Sequence, residues 1–249
     1  MEYQRNIVTS IAGLDPSGGA GILADIKTFE QHHCLGFGVA SALTAQTEDQ
    51  FFDLKWLSFQ QILVQTEPLI KHYHPAVLKI GMIENLNVMN KLITWLKNCS
   101  PALKIIWDPV LSASSGCTFI SEIDKNLLYH ILSNIYLLTP NTNEAQSLSA
   151  LENEQQAAKK LSQYCNVLLK GGHSPNHKGT DLLFSADKIL SLNASTDNLP
   201  QKHGSGCILS SAIAANVANG LRLEEACFKA KRYTEKILNS NHHLLAYHA

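Results

Sequence analysis

Six short, almost uninterrupted apolar runs, each leading into a glycine-rich, polar or acidic loop, limit most narrowly what this chain can fold into. They are IVTSIAG (7–13), FGVASAL (37–43), AVLKIG (76–81), LKIIWDP (103–109), IYLLTPN (135–141) and NVLLKGG (166–172). Runs of this length and apolarity read as strands buried on both faces, the mark of a parallel sheet. Helical patterns lie between them. Ile22, Leu23, Ile26 and Phe29 share one face of a helix over about residues 19–33. Leu86, Met89, Ile93 and Leu96 do the same in a second helix, and Ala226, Ala230, Tyr233 and Ile237 in the last. Strand alternating with helix gives a doubly wound, mostly parallel α/β sheet with helices on both faces, a three-layer α/β/α arrangement. DLLFSADKILSL (181–192) breaks the rhythm and reads as an edge hairpin turning at Ser185–Asp187. The expected organisation of the 249 residues is one domain over 1–249.

Composition removes several classes of function. The formal net charge is −1, which gives no electrostatic reason to bind nucleic acid or a membrane surface. No apolar stretch is long enough to span a bilayer. The six cysteines are irregularly spaced and none forms C-x-x-C, so neither a zinc knuckle nor a disulfide framework is expected. The opening MEYQRNIVTS does not read as a signal peptide, and a reducing cytoplasm is the expected compartment.

In a doubly wound sheet, ligands bind at the carboxyl ends of the strands. The loops there read GLDPSGGAG, TAQTED, GMIEN, DPVLSASSG, TPNTNE and KGGHSPNHKGTD, with HGSGC opening a late helix. Gly19-Ala-Gly21-Ile-Leu-Ala24 matches the dinucleotide pattern G-x-G-x-x-A, but the acidic residue that should follow the second strand has no clear counterpart. No G-x-x-x-x-G-K-[ST] is present, which excludes a P-loop. In His203-Gly-Ser-Gly-Cys207, two glycines precede an apolar helix. Such a helix start attracts anions and lowers the pKa of a nearby thiol. Cys207 is therefore balanced between chemistry and packing as a small hydrophobe.

Asn141 and Glu144 make a capping box that needs no function. Lys170, at a strand end before Gly171-Gly172, reaches either a phosphate or water. Asp108 binds a metal or caps a turn. The pairs His32-His33, His72/His74 and His242-His243 read as exposed polar positions. Glycine loops, a lysine, acidic residues and a thiol at one sheet edge fit phosphoryl transfer better than hydride transfer.

The motifs GLDPSGGAGILADIKTF, SALTAQ, KIGM, DPVLSASSG, LLTPNTNEA, LLKGGH and HGSGCILSSAIAA resemble, in that order, the hydroxymethylpyrimidine and phosphomethylpyrimidine kinases of the ribokinase-like superfamily. The resemblance runs from about residue 7 to 220. It implies a ribokinase-like fold and ATP-dependent phosphorylation of hydroxymethylpyrimidine, then of its monophosphate, with Mg2+ and commonly as a homodimer. It implies that Gly13, Asp25 and Gln46 hold the pyrimidine and its hydroxymethyl group, with Met82 and Val110 against the ring. Asn141, Glu144 and Lys170 would attend the ATP phosphates and magnesium, with Asp108 beside them as a second metal carboxylate. Gly204, Ser205 and Gly206 would form the anion hole, and Cys207 would be the catalytic base. The sequence departs from the family at Ile208 (usually threonine), Ser114 (lysine or threonine), Leu14 (small and polar) and LNSNHHLLAYHA, which replaces a glycine-rich closing segment. Two alternatives stand beside this reading: a pyridoxal kinase of the same fold, and a pyrimidine-binding homologue without catalysis.

Overall fold

The computed structural model describes residues 5–112, 119, 123–172, 179–186, 188–196 and 199–248. Ser114, Asp187 and parts of the loops 108–116 and 170–181 lie outside the described residues. The chain order is β1 (Ile7–Leu14), α1 (Gly21–Gln31), β2 (Leu35–Gln46), β3 (Phe51–Trp56), α2 (Phe59–Tyr73), β4 (Val77–Ile80), α3 (Leu86–Cys99) and β5 (Lys104–Trp107). It continues with α4 (Lys125–Leu132), β6 (Leu137–Leu138), α5 (Thr142–Ser149), α6 (Glu154–Leu161), β7 (Asn166–Leu169), β8 (Asp181–Ser185), β9 (Lys188–Leu192), α7 (Ser205–Ala218) and α8 (Leu223–Leu238).

All nine strands form one sheet in the order β3-β2-β1-β4-β5-β6-β7-β8-β9. The six apolar runs become its six parallel strands, β2 through β7 in spatial order. Their side chains alternate between two cores. Leu78, Ile80, Ile105, Trp107 and Leu138 face the layer of α2 to α6. Val77, Ile106, Leu137 and Leu168 face that of α1, α7 and α8. DLLFSADKILSL is the antiparallel edge hairpin β8–β9.

Some expectations need correction. TAQTED is not all loop, because β2 continues to Gln46 and then pairs antiparallel with β3. β3 was not evident from the sequence. As an edge strand it leaves Phe52 65% exposed, so FFDLKW carries no continuous apolar run. Leu23 does not share the buried face of Ile22 and Phe29; it is exposed. His32 is half-buried, its Nδ1 2.9 Å from Thr28 O and its ring edge-on to Tyr233.

The least expected feature is an ion pair inside the sandwich. Lys79 and Asp25 are 0% exposed, and Lys79 Nζ donates to Asp25 Oδ1 at 2.6 Å. Ser211 Oγ donates to the same oxygen at 2.6 Å and Ser10 Oγ to Oδ2 at 2.5 Å. Ser10 and Lys79 are register partners on β1 and β4. One carboxylate therefore ties β1, α1, β4 and α7 together. Removing a single partner strands a charge in the core, which costs about 3–5 kcal/mol, whereas replacing both with apolar residues is far milder. Lys79→Met should lose stability on that scale in urea titrations. Lys79→Met combined with Asp25→Leu should recover most of it; no recovery would mean that the pair is not the reason for the loss.

Candidate functional site

The order of the sheet reverses between β1 and β4, so the crevice beyond their carboxyl ends is the binding position of the fold. Gly13 and Met82 flank it. A Cβ on Gly13 would lie 2.9 Å from Met82 Sδ and 3.9 Å from Thr44 Cγ2. Thr44 Oγ1 donates to Leu14 O at 2.9 Å, and Gln46 Nε2 donates to Thr44 Oγ1 at 3.0 Å. The hydroxyl of buried Ser41 holds Met82 O at 2.6 Å. β1 and β2 shift register here: Ala12 pairs with Ala40 but Gly13 with Ala42.

Two turns close over this end of the sheet. Asp15 organises the first, accepting from Ser17 N–H at 2.8 Å and Ala20 N–H at 2.9 Å. Its Oδ2 also lies 2.9 Å from His203 Nε2. Burial pushes this carboxyl upward, but its bonds from His203, Ser17 and Ala20 outweigh that and hold it below its ordinary value. The second turn leads into α7. Gly204 has φ +72°, and a Cβ there would lie 2.1 Å from Gly19 O. No side chain fits, so the two turns meet backbone to backbone.

Gly206 opens toward a cluster of charges, where a Cβ would meet Lys170 Nζ at 3.3 Å and Asp108 Oδ2 at 3.9 Å. Lys170 does not snorkel to water. It is ion-paired to Asp108 at 2.8 Å and to Glu144 at 3.7 Å. Asp108 also accepts from Thr139 Oγ1 at 3.0 Å and Ser210 Oγ at 3.2 Å. The Asn141–Glu144 capping box is real: Glu144 N–H donates to Asn141 Oδ1 at 2.9 Å, and Asn141 N–H to Glu144 Oε2 at 2.7 Å. A backbone bridge between Asn141 and Lys170 holds both at the same level of the sheet. Val110 follows Asp108 and is half-buried, its N–H donating to Asp108 O at 2.8 Å.

The electrostatics separate the two carboxyls. Burial pushes Asp108 upward, but Lys170 and Lys79 dominate and hold it below the usual range. Burial pushes Glu144 to about 7, against the pull of Lys170. Two carboxyls facing one ammonium leave the cluster short of positive charge, and the charge of Asp108 adds to the upward push on Glu144. In their ionised forms the two carboxylates are hard oxygen donors that suit Mg2+, which binds through one or two carboxylates and completes its shell with phosphate oxygens and water.

Two expectations change. Asp25 is fully buried next to Cys207, and both of its oxygens accept hydrogen bonds in the core, from Lys79, Ser211 and Ser10. The helix start does not lower the Cys207 thiol. Burial pushes it up to about 11, although Lys79 and a backbone hydrogen bond to Gly21 pull the other way. Ile208 is fully buried and presents nothing to the turn. Sequence reasoning missed Lys79, whose signal was a lysine within AVLKIG. It also missed Asp15, His203, Thr139 and Ser210, small polar residues that only the fold brings together.

Relatives define the class first. A solved pyridoxal kinase from Staphylococcus aureus, in complex with AMP-PCP and pyridoxal, superimposes with TM-score 0.83 at 25% identity, covering 98% of this chain and 92% of that one. A solved phosphomethylpyrimidine kinase from Clostridium difficile superimposes with TM-score 0.79 at 28% identity, covering 93% and 99%. The fold is ribokinase-like, and the protein is a small-molecule kinase. A hydroxymethylpyrimidine/phosphomethylpyrimidine kinase from Haemophilus influenzae is 33% identical over 238 residues, 91% of this chain and 88% of that one. The phosphomethylpyrimidine kinase family pattern matches residues 15–249. The chain belongs to that family.

Because Glu144 keeps its proton to about pH 7 when folded, against about 4.5 for an ordinary glutamate, the folded state binds the extra proton between those values. The associated stability is complete below the lower value and lost as pH rises through the higher one. Without nucleotide or metal, the wild type should lose stability relative to Glu144→Gln between about pH 5 and 8 in denaturant titrations. Parallel profiles would show that Glu144 does not titrate there.

Proposed function

We propose that the protein transfers a phosphoryl group from ATP to the hydroxymethyl group of hydroxymethylpyrimidine, and then to the resulting monophosphate. One observation carries this reading. The Gly206 face of α7 opens onto Lys170 and Asp108, while the first turn meets Gly13 through Gly21, with Met82, Thr44 and Gln46 next to Gly13. An apolar, amide-edged pocket would thus adjoin a cluster of one ammonium and two carboxyls, where Lys170 and a metal held by the carboxylates would together meet phosphate. Gln46 supplies an amide that both donates and accepts, matching an aminopyrimidine edge. Met82 and Val110 would face the ring, and glycine at 13 lets the Met82 sulfur lie against the strand.

Phosphoryl transfer passes through a loose transition state, so positioning and charge neutralisation do most of the catalysis. Lys170 neutralises charge at the transferring group, and the N–H groups at Gly204–Gly206 accept the developing negative charge at the start of α7. Asp108 and Glu144 would hold Mg2+, which shields phosphate charge when bound. Cys207 is a neutral thiol in the resting protein. It would act as the base only as a thiolate, after giving its own proton to solvent, with Lys79 favouring that ionised form. Asp25 serves as support beneath the pocket and does not contact the substrate. A single domain, a homodimer and a cytoplasmic setting belong to the same reading, carried by the family resemblance. No helix among the described residues is long and apolar enough to cross a membrane.

The likeness to the Staphylococcus aureus pyridoxal kinase makes pyridoxal the competing alcohol. Purified protein given ATP, Mg2+ and each alcohol separates the readings: the pyrimidine and its monophosphate should show the highest kcat/KM, and preference for pyridoxal would reverse the assignment. Pyrimidine binding without turnover would mark a non-catalytic homologue. Cys207→Ala should lower kcat about 100-fold with KM for the alcohol nearly unchanged, the pattern of a lost general base. Near wild-type turnover would remove Cys207 from the chemistry.

A further inference from the structure

The segment that follows α8, residues 239–248, folds back onto the crevice. Lys202 is only 7% exposed, and its ammonium donates to Asn241 O and Asn241 Oδ1, both at 2.7 Å, and to His243 O. Its described partners are all neutral oxygens of this one segment, so they fix the segment's register against residue 202. The next residue continues the attachment: His203 N–H donates to Leu244 O at 3.0 Å. Leu245 then lies over the first turn, where a Cβ on Gly19 would come within 2.8 Å of Leu245 Cδ2 and 2.5 Å of His203 Cδ2. The segment braces itself, with Asn241 Nδ2 donating to Leu245 O at 3.1 Å and Tyr247 N–H to Ser240 Oγ at 2.9 Å. Its far end is anchored by Gln31 Nε2 donating to His248 O at 3.2 Å.

These contacts fall on the two turns that separate the proposed alcohol pocket from the phosphoryl cluster. The first turn connects through Gly21 to Gly13, since a Cβ on Gly21 would lie 2.1 Å from Gly13 O. The second carries Gly206 toward Lys170 and Asp108. The turns are far apart in the chain, so only non-covalent contacts set the gap between them. Transfer needs the alcohol oxygen and the phosphorus held within a few tenths of an ångström of in-line geometry, and a misplacement of about 1 Å costs about 100-fold in rate.

We propose that residues 239–248 are a strap that sets this gap, with Leu245, Lys202 and His203 as positioning residues. The inference rests on the reading of the protein as an alcohol kinase. The strap clamps Gly19 from outside while His203 bolts the same turn through Asp15, so Gly204 enters α7 at one fixed distance from Gly13. Loosening it leaves each half-site intact and spoils their relation, which is a loss of kcat more than of binding.

Three full-length variants test this: Leu245→Ala, Lys202→Met and the conservative Leu245→Met. Hydrogen exchange at residues 15–21 and 203–208 reads the turns directly, without reference to any substrate. Leu245→Ala and Lys202→Met should speed exchange in both turns while the sheet keeps its protection. They should lower kcat about tenfold or more and leave KM for ATP nearly unchanged, while Leu245→Met stays near wild type on every readout. Unchanged exchange in the turns overturns the strap. So does faster exchange with unaltered kcat, and so does a loss of kcat that merely follows global destabilisation in urea. If the wild type phosphorylates none of the alcohols offered, the functional reading fails separately. Exchange confined to the two turns then still supports the clamp, and its absence still refutes it.

Discussion

The interaction on which the rest of this structure depends is the buried carboxylate of Asp25. It receives Lys79 from β4, Ser10 from β1 and Ser211 from α7, while itself projecting from α1. These are the elements whose ends line the crevice. Apolar packing of α7, through Leu209, Ile213 and Val217 among the smaller Ala212, Ala214 and Ala215, is non-directional. Directional bonds to one pair of oxygens permit a single position. The ion pair is a poor source of net stability and a good source of uniqueness, since any sliding of α7 leaves a charge without a partner. Cys207 lies one helical turn before Ser211, so the position so fixed is also that of the thiol.

Charge is arranged in depth. Lys79 acts on Cys207 and on Asp108 from below, while Lys170 holds Asp108 and Glu144 at the level of the crevice. The two lysines do not act on both acidic groups alike: Asp108 is held below its ordinary value, while burial pushes Glu144 up to about 7. A cluster left in this state is prepared for a further cation and for anionic oxygens together, which is the composition of a metal-bound polyphosphate. Burial also pushes the Cys207 thiol well above its ordinary value.

Much of this was legible in the sequence because burial on both faces of a parallel strand leaves a continuous apolar run. The six runs, the edge hairpin and the helix starts at Asn141 and Gly204 could be read for that reason. β3 could not, since an edge strand with half its residues in water has no such signature. The site was legible where glycine or a strand-end charge marked it, as at Gly206, Asp108 and Lys170. At Asp25 the family resemblance pointed to a ligand contact, whereas the structure engages both of its oxygens in the core. The contradiction was visible two strands away: a lysine within AVLKIG needs a buried partner. Contacts across long separations, such as His203 with Asp15, have no local trace.

The register shift at the end of β1 has a consequence for the pocket. Side chains of paired parallel strands point the same way at partnered positions, so Ala40 points with Ala12, and Ala42 points with Gly13. One additional residue, Ser41, therefore inverts the parity of β2. Up to Val39 the odd positions turn toward the layer of α2 to α6; beyond Ser41 the even ones do. Thr44 and Gln46 come round beside Gly13 and Met82 only because of that inversion. The strand thus obeys two grammars in succession, one written by the core and one by the ligand, with Ser41 as the punctuation between them. Its length is counted: a deletion there would restore the first parity and turn the Gln46 amide away from Gly13 and Met82.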